Sequence, residues 1–224
     1  MASAKALLGA VAGRFLFRHG EVTSVTKLSA QFTRIDVAGP ELAGAPFVAG
    51  DKVQLFFPGV GMRTYTPITW APDGATWFVG YAHGAGPGAS WVRTVKARDP
   101  VALFGPRRSI DVAGVDGPLV LIGDETSLAV AVALCRAKPD RRVDVVLEAH
   151  AADELRDVAR ALELAHVTVT PKGQLAPAVS AVLTVGATPL FTGRAASIQS
   201  LKQQLTGLGG KTKAYWADGK RGLD

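Results

Sequence analysis

The 224-residue sequence predicts two units in series, an antiparallel β-barrel followed by an α/β unit built on a parallel sheet. Three observations predict this. Residues 20–116 read as short runs rich in β-branched and aromatic residues, punctuated by Gly-Pro, Asp-Gly and Pro-Gly turns. Residues 117–224 switch to near-continuous apolar strands alternating with helical segments. The composition, 48% hydrophobic and 20% charged with 25 Gly and 13 Pro, is that of an ordinary globular chain long enough for two cores. The expected domains are 1–116 and 117–224, meeting in the turn-rich DVAGVDGP stretch, with no repeat and no low-complexity linker.

The barrel strands are expected in GEVTSVTKLS, FTRIDVAGP, KVQLFFPG, RTYTPITW, ATWFVGYAHG and PVALFGP, where apolar and polar residues tend to alternate. One helix, SWVRTVKA, interrupts them, with Ser90 as its expected N-cap. In the second unit LVLIGD, VDVVLEAH, HVTVT and PLFTGR read as strands, and ETSLAVAVALCRA, DELRDVARALEL, QLAPAVSAVL and ASIQSLKQQL as helices. A last short strand, KAYWAD, closes the sheet. The N-terminal stretch MASAKALLGAVAGRF is expected to be an amphipathic helix or a frayed end, because Arg14, Arg18 and His19 break its apolar run before any cleavage site.

Lys and Arg outnumber Asp and Glu 25 to 19, giving a net charge of +6 and a bias toward anionic partners. The basic residues are scattered, so a small anionic ligand is expected rather than nucleic acid. The single cysteine, Cys135, excludes an internal disulfide and an all-cysteine metal or iron–sulfur site, and a reducing cytoplasm is the expected compartment. No apolar run reaches the ~18–20 residues of a membrane helix, so no membrane span is expected.

Two strings carry chemistry. Arg63-Thr64-Tyr65-Thr66-Pro67 lies on a barrel strand after a Pro-Gly turn, and HGAGPGASWV has three Gly in six residues, so that backbone amides at Gly88, Ala89 and Ser90 can approach a phosphate. On its own, the second string is equally a Gly-rich hairpin leading into a capped helix. A third string, LVLIGDETS, sits at the first strand-to-helix junction of the α/β unit, where Asp124 and Glu125 occupy a turn that is glycine-rich in dinucleotide-binding folds. Their negative charge either opposes a phosphate or simply complements the helix dipole.

The runs MRTYTPITW, YAHGAGPGASWV, FGPRRS, LVLIGDETSLAVA, FTGRAASIQSLKQQL and KAYWADGKRG, in this order, resemble the siderophore-interacting proteins, flavin-dependent ferric-siderophore reductases of the ferredoxin-reductase-like superfamily. The resemblance implies a flavin-binding barrel, a nucleotide-binding-like α/β unit, and FAD between them with NADPH or NADH, or a small redox protein, as electron donor. It implies that Arg63, Thr64, Tyr65, Thr66, His83, Gly88, Ala89, Ser90 and Thr126 line the cofactor, with Thr66 at the reactive edge of the flavin. Arg107, Arg108, Lys220 and Arg221 are the candidates to receive an anionic ferric-siderophore. Arg194 departs from the acidic residue that family members often carry there, which leaves the choice of nucleotide open. A cytoplasmic monomer is expected. The alternatives are an NAD(P)H-dependent flavin reductase or electron-transfer flavoprotein on the same fold, and a non-catalytic siderophore- or nucleotide-binding protein.

Overall fold

The structure, a computed structural model, describes residues 17–219. The expected N-terminal helix and the candidate substrate residues Lys220 and Arg221 lie outside the described residues. Seven antiparallel strands make the first sheet: β1 (Arg18–Lys27), β2 (Phe32–Ala38), β3 (Lys52–Phe57), β4 (Gly61–Tyr65), β5 (Pro67–Trp70), β6 (Thr76–Tyr81) and β7 (Pro100–Arg107). Their order is β4-β3-β7-β1-β2-β6-β5.

The two strands at the ends of this order, β4 and β5, are consecutive in the chain and joined through Thr66. A sheet whose opposite edges are tied by one residue has to curl, so it is a barrel with a seam at Thr66. The RTYTPITW run, expected as one strand, is therefore two. Pro67 fixes the break, since it has no N–H for continued pairing and restricts Thr66 before it.

Inside the barrel Val22, Ile35, Val37, Val53, Leu55, Phe78 and Leu103 form a buried core. The helix α1 (Pro87–Thr94) packs onto it through Ala89 and Val92. It starts at Pro87 with Gly86 as N-cap, not at Ser90 as expected, because proline is preorganised for the first helical position. Gly80 permits the close approach: a Cβ there would meet Val92 Cγ1 at 3.0 Å.

The second sheet is wholly parallel, with β8 (Leu119–Asp124), β9 (Val143–Ala149), β10 (Val167–Pro171), β11 (Thr188–Arg194) and β12 (Lys211–Trp216) in the order β10-β9-β8-β11-β12. Helices α2 (Leu128–Ala137) and α3 (Ala152–Ala161) cover one face, and α4 (Leu175–Val182) and α5 (Ala195–Gln204) the other. Every residue of β8 and β9 is buried, as a strand covered on both faces requires.

Helix α2 joins the two units. Residues 128–134 are all buried, since one side meets β9 and another meets Ile68 of β5 and Trp77 of β6. Two guanidinium groups lie over the Trp77 ring, Arg34 of the barrel at 4.2 Å and Arg136 of α2 at 5.6 Å from its centroid. Glu154 of α3 also accepts the Gln31 amide at 2.9 Å.

Trp77→Ala should cost about 3–5 kcal/mol of stability, from lost burial and the cavity at the junction. Urea unfolding measures this, and a loss below about 1 kcal/mol would show that the junction contributes little to the folded state.

Candidate functional site

The sequence-predicted residues gather in three groups along the barrel seam. In the first, β4 runs beside the start of α1, so that Arg63 and Tyr65 lie over Gly88. A Cβ on Gly88 would sit 3.3 Å from the Tyr65 hydroxyl and 3.6 Å from Arg63 Cγ. The Tyr65 ring packs edge-on against Phe78 and Trp91, and its hydroxyl lies 3.4 Å from the Gly88 carbonyl, to which it donates. Burial pushes this phenol above its ordinary range, so it is neutral.

The first turn of α1 leaves the Gly88 and Ala89 amides without intrahelical partners, whereas the Ser90 amide donates to Gly86 O at 2.9 Å. Of the three expected amides, those of Gly88 and Ala89 therefore stand unpaired at the helix start, and Ser90 keeps only its exposed side chain. Arg63 donates to its neighbour's carbonyl, Met62 O, at 2.7 Å, and meets no carboxylate among the ion pairs of the described residues. Two helix-start amides and a guanidinium are donors of the kind that suits the pyrophosphate of a flavin. Arg93, which the sequence did not single out, steadies the loop by donating to Ala82 O at 3.0 Å and Gly84 O at 2.7 Å.

The second group is built around Asp124, 1% exposed at the end of β8. Its Oδ1 accepts from the Thr126 amide at 2.9 Å and the Thr126 hydroxyl at 2.5 Å. Its Oδ2 accepts from the Arg194 amide at 2.8 Å and the Trp216 indole N–H at 2.9 Å. One carboxylate thus ties the first βα turn to the ends of β11 and β12. Gly193, at φ +95°, is required beside it, because a Cβ would lie 2.7 Å from the carboxyl carbon. Burial raises the Asp124 carboxyl above the usual carboxylate range, while Thr126, Lys172 and Trp216 pull it down.

The negative charge expected to meet a phosphate at this turn is consumed internally, and so are both Thr126 donors. This turn does not fit a dinucleotide pyrophosphate in the manner of glycine-rich folds. Trp216 also reaches the barrel: its ring lies 6.2 Å from His83, which stacks on Tyr81 at 5.1 Å, which stacks on Phe32 at 4.7 Å.

Arg194, whose role was open, pairs with Asp218 and lies 5.5 Å from the Trp216 ring centroid. Its guanidinium borders a cleft of about 370 Å³ over the ends of β9, β10 and β11, with Glu148, Lys172, Ser197 and Ser200. Lys172 is itself held by two buried carboxylates, Glu125 at 3.1 Å and Glu148 at 3.7 Å. Sequence reasoning missed this trio. The available signal was two acidic residues at the ends of otherwise apolar strands, which need a buried partner.

The third group is Thr66 alone, at the seam between β4 and β5. The remaining candidates stand apart from these groups. Arg107 is half-buried, donates to Gln54 Oε1 at 2.5 Å and lies over the Phe104 ring at 4.5 Å. Gln54 is the cross-strand partner of exposed Thr64, so Arg107 reaches β4 on the face opposite Arg63 and Tyr65. Arg108 is exposed and pairs with Asp111 at 3.0 Å. Cys135 has its thiol pushed up to about 11 by burial, so it is protonated and unreactive. Among the described residues no His, Cys, Asp and Glu cluster could hold a metal, and no helix is long and apolar enough to cross a membrane.

Similarity to solved structures follows this architecture. A siderophore utilization protein from T. fusca superposes with a TM-score of 0.75 at 22% identity, covering 93% of this chain and 95% of that one. A siderophore-interacting protein from Aeromonas hydrophila gives 0.70 at 22% identity over 92% and 93%. Phthalate dioxygenase reductase gives 0.71 at 14% identity over 92% and 70%. The fold is that of the ferredoxin-reductase-like proteins. Within this fold the solved structures it resembles include one siderophore utilization protein and two siderophore-interacting proteins. No protein-family model and no curated sequence matches the chain.

Asp124→Asn turns two accepting positions into a donor that faces donors, and should cost about 2–4 kcal/mol. Trp216→Phe removes one donor only and should cost about 1 kcal/mol. Urea titrations of both variants measure the difference. Equal, small losses would mean that Asp124 does not hold the turn and the strand ends together.

Proposed function

We propose that this chain is a flavin-dependent electron-transfer oxidoreductase that reduces ferric iron held in a siderophore. The observation that carries the reading is the convergence of Arg63, Tyr65 and the free amides of α1 beside Thr66 at the barrel seam. The likeness to siderophore utilization and siderophore-interacting proteins supports the choice of substrate.

Arg63 and the Gly88 and Ala89 amides would hold the pyrophosphate of FAD, and Tyr65 would flank its ring system. Thr66 would present its hydroxyl to the reactive nitrogen edge, with His83 beside the ribityl chain. Bound flavin supplies the conversion between two-electron and one-electron transfer. Each two-electron donor then accounts for two ferric chelates reduced to ferrous. Ferrous iron is held more weakly than ferric by hard oxygen ligands, so reduction also releases the metal.

NADPH or NADH is the electron donor in this reading. The cleft lined by Lys172, Arg194, Ser197 and Ser200 is the proposed place for the nucleotide, whose phosphates would displace Asp218 from Arg194, since the β8 turn keeps its donors for Asp124. A small redox protein is the other donor class. Arg108 and, beyond the described residues, Lys220 and Arg221 are the proposed contacts to an anionic chelate, whereas Arg107 is committed to Gln54 and Phe104. A second reading, an electron-transfer subunit or NAD(P)H-dependent flavin reductase, draws on the likeness to phthalate dioxygenase reductase.

Arg63→Ala should weaken FAD binding about 10- to 150-fold, the equivalent of one charge-assisted hydrogen bond of about 1.5–3 kcal/mol. Fluorescence titration of the FAD-free protein reads this directly, and unchanged affinity would move the pyrophosphate away from Arg63.

Photoreduced, FAD-loaded protein mixed anaerobically with a ferric hydroxamate chelate should regain its oxidised absorption and yield ferrous iron, trapped by a ferrous-specific dye. A spectrum that stays bleached with the chelate but recovers with an oxidised ferredoxin would favour the electron-transfer subunit instead.

A further inference from the structure

The chain leaves β6 and enters α1 through residues 82–86, where Gly84 takes the left-handed conformation at φ +63°. Backbone bonds fix both ends: the Ala82 amide donates to Gln31 O at 2.8 Å, and Gly86 O accepts from the Ser90 amide at 2.9 Å. Among the described residues, 83–85 make no backbone–backbone hydrogen bond. A stretch of this kind keeps one conformation only if side chains hold it against its conformational entropy.

One side chain does so. Arg93, in the last turn of α1, donates through Nη2 to Ala82 O at 3.0 Å and to Gly84 O at 2.7 Å. These are the carbonyls of the two residues that flank His83. Arg93 reaches them because its neighbour Val92 packs on β6 over Gly80, which brings α1 close to the end of that strand. Among the ion pairs of the described residues Arg93 meets no carboxylate, so its guanidinium is committed to the loop.

His83 itself is exposed, and its imidazole makes no hydrogen bond among the described residues. The ring is held by stacking on Tyr81 of the barrel at 5.1 Å and by its contact with Trp216 of β12 at 6.2 Å. Both ring nitrogens therefore remain for a ligand, while the backbone on either side of the ring is fixed by Arg93.

Resting on the flavin reading of the seam, we propose that Arg93 is a positioning residue: by clasping the carbonyls on either side of His83 it presets the imidazole between Tyr81 and Trp216 for contact with bound FAD. Hydrogen bonds from a charged donor are stronger than those between neutral groups, so two of them suffice to order a short glycine-containing loop. Ordering the loop before the cofactor arrives removes that entropy cost from binding. The same clasp places His83 against the last strand of the α/β unit, so both units contribute to the setting of one cofactor-facing ring.

The test uses full-length protein carrying Arg93→Met, Arg93→Lys, His83→Ala, and Arg93→Met with His83→Ala. The FAD dissociation constant and the visible absorption maxima of bound FAD are read for each. Arg93→Met, which keeps the aliphatic stem and loses the donors, should weaken FAD about five- to thirtyfold. It should move the maxima in the same direction as His83→Ala. Arg93→Lys, which keeps a cationic donor, should recover most of the affinity. In the His83→Ala background Arg93→Met should add little, because its effect passes through that ring, whereas simple attraction between the guanidinium and FAD would persist there. The FAD-free Arg93→Met protein should melt within about 3 °C of the parent, since Arg93 is exposed. Unchanged affinity in Arg93→Met or in His83→Ala, full additivity in the double variant, or a large loss of melting temperature each overturns the proposal and leaves the flavin site standing. Failure of the parent protein to bind FAD overturns the flavin reading itself, and this role with it.

Discussion

One covalent constraint organises the molecule: a single residue, Thr66, joins the two edge strands of a seven-stranded antiparallel sheet. The link forces the sheet to curl, and because Pro67 has no amide proton the edges meet without zipping together. Edges left open in this way are normally a liability. Here the neighbourhood is occupied from two sides. The first turn of α1 lies against Arg63 and Tyr65 of β4, and α2 packs on Ile68 of β5. The candidate site is the place where the barrel cannot close.

The second unit is fitted to that seam by a polar hub in an otherwise apolar sheet. Asp124 is almost wholly buried, yet each of its oxygens accepts two donors. A satisfied buried carboxylate specifies geometry more than it adds stability, because desolvation opposes its charge. What it specifies is the relative position of the first βα turn, the Arg194 backbone and Trp216. Through the ring series Trp216, His83, Tyr81 and Phe32 the same hub reaches the barrel wall. The GDET turn is therefore built for assembly, with its helix-start donors turned inward.

Much of this architecture was legible in the sequence because it rests on local patterns. Apolar runs such as LVLIGD and VDVVLEAH can only be strands buried on both faces, and the Gly and Pro punctuation marks the barrel turns. RTYT and HGAGPGAS are separated by residues 67–82, and their meeting over Gly88 was implied only by resemblance. Helix α1 begins earlier than expected because Pro87 outweighs Ser90 as a starting signal. Three features had no local signature: the four-donor environment of Asp124, the Lys172 trio and the register shift between β11 and β12 that leaves Tyr215 as an extra residue, Gly193 pairing with Ala214 and Arg194 with Trp216. Each depends on residues from strands far apart in the chain, and single-sequence periodicity carries no record of such pairings.

Net positive charge looked like a means of attracting an anionic chelate, and the structure redistributes that argument. Arg194 pairs with Asp218, Arg108 with Asp111, and Lys172 with Glu125 and Glu148. Arg107 is spent on Gln54 and the Phe104 ring. Charges compensated at contact distance project little field beyond a Debye length of about 8–10 Å, so a net +6 does not by itself make a funnel. Arg63 differs, because its bond goes to a neutral carbonyl and its charge adds to the positive end of α1. In the proposed reading anion recognition is therefore concentrated at the seam and directed to the ligand that would be held there permanently. Capture of a transient anionic substrate is left to weaker, exposed cations such as Arg108, whose partner is equally exposed and readily exchanged for another anion.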